Sequence, residues 1–125
     1  MRKIMLSIKP CFVEEILAGR KLVEYRKRIP QDHTVSQVLI YASYPTKKVV
    51  AEFQVGGYLA ASPEILWQQT SRIGGIDKEV FDKYFIKKDV AYAYQITNLQ
   101  ILPTPMPLSD FGLKRGPQDY CYVED

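Results

Sequence analysis

The chain has 125 residues, a formal net charge of +3, and 46% apolar, 25% charged and 12% aromatic residues. That length fits one domain with a core of its own, spanning residues 1–125, and that composition excludes a disordered or collagen-like chain. No apolar run nears the roughly 18 residues that span a bilayer, so no membrane association is expected.

The charge is unevenly placed. Residues 1–50 carry +6 and residues 51–125 carry −3. A basic half suits an anionic partner such as RNA, DNA or a nucleotide phosphate, although a solvated basic face has the same signature. Met1-Arg2-Lys3 is followed by too few apolar residues for a signal peptide, and a cytoplasmic location is expected. Cys11 and Cys121 are too few and too far apart for a disulfide framework or a zinc motif, and His33 is the sole histidine. No metal and no cofactor are therefore expected, and Cys11 reads as a small residue on a helix face.

In chain order, residues 1–8 read as a strand, with Ile4, Leu6 and Ile8 alternating with Met5 and Ser7. Lys9-Pro10 opens a helix, with proline in the first turn, where its missing N–H costs nothing. Phe12, Val13, Ile16 and Leu17 fall at helical spacing, Glu14 and Glu15 face outward near the positive helix end, and Gly19 suits a left-handed end. Residues 22–28 alternate as a strand, so Val23 and Tyr25 share one face and Glu24 and Arg26 the other. Residues 29–32 form a loop. Residues 35–43 form a strand so continuously apolar from Val38 to Tyr41 that both faces should be covered. After a turn over residues 44–48, residues 49–58 alternate as a strand, and Gly56-Gly57 marks a bulge.

Ser62-Pro63 caps a helix carrying Ile65, Leu66 and Trp67, which Gly74-Gly75 ends. Asp77 caps a second helix with Val80, Phe81, Tyr84 and Phe85 on one side. Residues 90–102 read as a long strand that Pro103, Pro105 and Pro107 stop. Ser109 to Phe111 forms one helical turn, and the tail from Gly116 ends in an aromatic-rich stretch. The order β-α-β-β-β-α-α-β plus a tail predicts an α+β fold. Strands in succession on short turns do not build a doubly wound parallel sheet. A mostly antiparallel sheet curled into a small barrel, with helices at its openings, fits this order.

One cluster stands out as a candidate site: Gly19-Arg20-Lys21-Leu22-Val23-Glu24-Tyr25-Arg26. Buried charge is costly unless it is paired or used. Glu24 and Arg26 share a strand face, where each can hold the other, and Lys21 sits at the turn beside them. Lys21 suits binding a phosphate, acting as a base, or pairing with Glu24. As a base it needs its pKa lowered, for which Arg20 and Arg26 pull one way and Glu24 the other. Tyr41 and Tyr44 with Lys47 and Lys48 interleave rings for base stacking with cations for phosphates; the alternative is a core tyrosine beside a solvated turn. Trp67 reads as core, and Glu52 and Gln54 as either base-edge readers or solvent-facing residues. No Ser-His-Asp, Cys-His, phosphate-loop or paired-carboxylate pattern is visible.

The segments Leu6-Ser7-Ile8-Lys9-Pro10, Gly19 to Arg26, Ile40-Tyr41-Ala42-Ser43 with Pro45 and Lys47-Lys48, Glu64-Ile65-Leu66-Trp67, Gly75 to Phe85 and Pro117-Gln118-Asp119-Tyr120 together resemble the ASCH domain family of the PUA-like superfamily. The resemblance covers nearly the whole chain. It implies a small β-barrel with a cleft beside the first helix, lined by Lys21, Glu24 and Arg26. It also implies an RNA or modified-nucleotide binding module coupled to translation or transcription. Some relatives are hydrolases: one branch deacetylates acetylated cytidine with a Lys–Thr–Glu set, where this chain has Glu24 in place of the threonine, and another is a metal-dependent ribonuclease. On the enzymatic reading, Lys21 and Glu24 are the catalytic candidates. On the binding reading, the ligand or RNA contacts are Lys21, Glu24, Arg26, Tyr41, Tyr44, Lys47 and Lys48. A third reading is a ligand-free protein-interaction domain with an ion-pair cluster.

Overall fold

A computed structural model describes residues 2–124. Strand β1 (Arg2–Ile8) leads into helix α1 (Pro10–Leu17), which carries Pro10 at its start, as its sequence demands. Met1, assigned to this strand from the sequence, lies outside the described residues. Gly19 follows the helix at φ +79°, a conformation that suits glycine. Strand β2 (Val23–Arg26) is only four residues long, shorter than the alternation suggested, and all four are buried. Strand β3 (Gln37–Ala42) is covered on both faces, as its continuous apolar run required. Strand β4 (Lys48–Ala61) is longer than its alternating stretch, because Gly57 pairs with Gln95 across a register shift that absorbs Gly56.

Helices α2 (Pro63–Thr70) and α3 (Lys78–Tyr84) begin where capping chemistry placed them. The Ser62 hydroxyl accepts from the Ile65 N–H, and the Asp77 carboxylate accepts from the Val80 N–H. Strand β5 (Ala91–Met106) runs through Pro103 and Pro105 rather than stopping at Pro103. Between the pairs Ala51↔Ile101 and Val49↔Met106, β5 advances five residues while β4 advances two. Both prolines fall within this bulge, where no ladder N–H is required of them. A 3₁₀ turn (Leu108–Phe111) occupies the expected helical turn, and the aromatic tail forms a further strand, β6 (Tyr120–Glu124), which pattern alone did not reveal.

The strands form one six-stranded sheet in the order β2-β5-β4-β3-β1-β6. All neighbouring pairs are antiparallel except β1 and β3, which are parallel. The fold is thus α+β with a mixed sheet. Among the described residues no strand ladder joins β2 to β6, so the sheet is not closed into a barrel. Apolar residues of β1, β3, β4 and α1, including Leu6, Ile16, Ile40 and Phe53, form the central core with Tyr94. Helices α2 and α3 lay Leu66, Phe81 and Phe85 over Val23 and Tyr25 of β2, with Trp67 packed at the margin of this cluster. Met5, Leu39, Tyr41 and Val49 pack with Leu108 and Val123 in a third cluster.

Candidate functional site

The two ends of the sheet are bridged by a side chain. Arg26, on edge strand β2, is only 9% exposed, and its Nη2 donates to the Ser7 carbonyl of β1 at 2.6 Å. Its Nη1 donates to Asp119 Oδ1 at 2.9 Å, and more weakly to the Asp119 carbonyl at 3.4 Å, just before β6. Nε and Nη2 both donate to Glu24 Oε2, at 3.2 and 2.9 Å. All three guanidinium nitrogens are therefore engaged within the protein. Arg26 orients Glu24 and ties the sheet ends, and it has no hydrogen left for a ligand.

Lys21 is 1% exposed, so it does not swing at the turn but is fixed. Its Nζ donates to the Gly74 carbonyl at 2.7 Å and lies 3.6 Å from Glu24 Oε1. The rings of Tyr25 and Phe12 lie 4.9 and 5.4 Å from the ammonium. Burial pushes the Lys21 pKa below the ordinary lysine value, the Glu24 carboxylate opposes this, and the Arg26 guanidinium adds a smaller push downward. Arg20 takes no part: it is exposed and paired with Glu15. Gly75 holds a left-handed φ of +68°, and any Cβ there would lie 2.6 Å from Lys21 Cβ. The double glycine that ends α2's connection thus also lets the chain close over the lysine stem.

These residues line a cleft of about 1030 Å³. The β1–α1 junction contributes Ser7, Lys9 and Phe12, the end of β2 contributes Lys27 and Arg28, and α3 contributes Val80, Lys83 and Tyr84. The β3–β4 turn supplies Ser43, Tyr44 and Lys47, and the segment before β6 supplies Gly116 to Asp119. That last segment is held by Arg26 and Arg28 on Asp119, and by the Ser7 hydroxyl, which donates to the Pro117 carbonyl. Lys27 lies 4.8 Å above the Tyr84 ring.

Of the residues singled out from the sequence, Lys21, Glu24, Arg26, Tyr41, Tyr44 and Lys47 come together here. Lys48 does not: it begins β4, pairs with Ala42 in the ladder and lies outside the cleft lining. Tyr41 is buried against Gly116 and serves both core and cleft floor, whereas Tyr44 is 80% exposed at the mouth. Glu52 and Gln54 line a separate polar depression with Lys3 and Asn98, so they read nothing in this cleft. Trp67 packs on Phe81, away from the site. Sequence reasoning missed Lys9, Lys83, Tyr84 and above all Asp119. Residue spacing carried no sign of a carboxylate so far along the chain meeting Arg26; only the Pro117–Tyr120 segment pointed toward it.

Among the described residues, no group of three or more His, Cys, Asp or Glu could hold a metal ion. No helix among them is long and apolar enough to cross a membrane.

No family model matches the chain. It is 30% identical over 122 residues to the large ribosomal subunit protein uL22 of Ureaplasma parvum, covering 97% of this chain but only 39% of that protein. It is 26% identical over 99 residues to an ASCH domain-containing ribonuclease of Zymomonas mobilis, covering 79% of this chain and 67% of that one. The crystal structure of ASCH from Zymomonas mobilis superposes with a TM-score of 0.89 at 24% identity, over 98% of this chain and 88% of that one.

Proposed function

We propose that this chain, an ASCH domain by sequence and by fold, binds RNA or a modified nucleotide in the cleft around Lys21, Glu24 and Arg26, as one domain serving translation or transcription. The observation that carries this reading is a buried acid–ammonium pair, Lys21 and Glu24, at the wall of an open cleft rimmed by cations and aromatic rings. Lysines at the rim suit phosphates, and flat rings suit bases. An open cleft of this kind supports a ligand-binding role over a ligand-free interaction domain. The test is titration with nucleotides and short RNAs, followed by amide chemical shifts. Binding should perturb residues 20–26 and 41–47 and weaken as salt rises; a set of ligands that moves neither segment would refute the reading.

Hydrolysis is a second reading, favoured by the lowered pKa of Lys21 next to a carboxylate. A buried lysine that loses its proton more readily is a competent base, with Glu24 as proton carrier. A relative named as a ribonuclease adds to this reading. Incubation with acetylated cytidine and with RNA tests it, and turnover that survives Lys21→Met would remove Lys21 from the chemistry.

A further inference from the structure

We propose that Lys21 and Glu24 read the hydrogen-bonding edge of one unpaired nucleobase, inserted edge-first, while the phosphate stays at the mouth beside Lys9 and Lys47. The inference rests on the nucleotide-binding reading and specifies which part of the ligand enters. Glu24 Oε2 is occupied twice by Arg26. Oε1 has only Lys21 Nζ, at 3.6 Å, an ion-pair distance rather than a hydrogen bond. Oε1 is thus the less engaged of the two carboxylate oxygens, and Glu24 lines the cleft. Among the described residues, the Tyr94 hydroxyl is the one fully buried side-chain polar atom without a hydrogen-bond partner. Lys21 Nζ has three protons and gives one to the Gly74 carbonyl.

The wall thus presents a fixed donor beside a fixed acceptor. The edge by which a base pairs carries the complement, an acceptor beside an N–H, and Glu is a suitable acceptor for such an N–H. A phosphate offers acceptors alone and would meet Oε1 as a like charge, so the deep end favours the base. Phe12, Tyr25 and Tyr84 supply ring surfaces beside it. At the mouth the pattern inverts. Lys83 is paired with Glu79 and Arg28 with Asp119, but Lys9 and Lys47 have no carboxylate partner among the described residues. The Ser43 N–H donates to the Ile8 carbonyl at 3.0 Å, which sets the β3–β4 turn next to Lys9.

The experiment titrates the chain with uridine, cytidine and adenosine monophosphates, with ribose 5-phosphate, and with 3-methyluridine monophosphate, whose edge N–H is replaced by a methyl group. The nucleotides should bind, and both the base-free and the methylated ligands should bind about tenfold more weakly or worse, within the range of a bidentate base contact. Glu24→Gln should reduce the penalty on the methylated ligand, and Lys47→Ala should weaken nucleotides and ribose 5-phosphate alike. Equal binding of nucleotides and ribose 5-phosphate would overturn edge reading and leave the nucleotide-binding reading standing. Absence of any shift around residues 20–26 with every ligand would overturn both.

Discussion

Replacing Arg26 by methionine removes the guanidinium while keeping much of its apolar stem. In the native chain Arg26 and Glu24 are 9% and 7% exposed, and the guanidinium holds Glu24, the Ser7 carbonyl and Asp119 at once. After the change Glu24 keeps only Lys21, at 3.6 Å, and the Ser7 and Asp119 carbonyls each lose a donor. Removing one partner of a buried pair costs about 3–5 kcal/mol, because the carboxylate stays buried with only the Lys21 ammonium, beyond hydrogen-bond distance, to balance it. For a chain of this size that is a fall of roughly 10–20 °C in Tm. Adding Glu24→Gln to Arg26→Met should restore part of the loss, giving a coupling of about 1–3 kcal/mol in a double-mutant cycle. Urea unfolding of the native chain, both single variants and the double variant measures all four corners. A loss below about 1 kcal/mol for Arg26→Met, or no coupling, would show that the sheet ends do not depend on this tie.

Three other predictions concern the surrounding groups. Tyr94→Phe removes a fully buried hydroxyl that has no partner, so urea unfolding should show unchanged stability or a gain of up to about 1 kcal/mol, and a clear loss would reveal a hidden partner for that hydroxyl. The lowered pKa of Lys21 means that the folded chain binds fewer protons than the unfolded chain between the folded value and 10.5. Stability from this group therefore rises with pH through that window, and the difference in urea midpoint between the native chain and Lys21→Met should grow in the native chain's favour as pH increases. Gly75→Ala, strained at φ +68° and pressed on Lys21, should cost about 1–3 kcal/mol and weaken ligand binding together, checked by thermal melts and titration.

Local periodicity carried much of the architecture. Period-two alternation set Glu24 and Arg26 on one face, and their contact follows from that alone. Capping residues located α2 and α3, and Gly19 located the end of α1. What periodicity does not encode is which strand lies beside which. Strand β1 pairs with β3 in parallel while β2 crosses to the far edge, so the sheet is mostly antiparallel, as expected, but its ends do not pair to close a barrel among the described residues. Asp119 escaped for the same reason, since it meets Arg26 only after β6 has joined β1. The sequence places Lys21 at a turn but does not show that Gly74-Gly75, some fifty positions away, bury and fix it.

Among the described residues, the outer flank of β5 beyond Ile96 has no neighbouring strand, since β2 pairs only with residues 92–95. It also carries Ile101 at 60% exposure, so by length and apolarity it resembles a template for another chain. Pro103 and Pro105 have no N–H to offer an incoming strand, and the bulge around them breaks the flat register that stacking demands. Lacking those N–H groups, this flank is a poor template for an added strand. Replacing both by threonine would leave the cleft untouched and turn this flank into a nucleus for aggregation.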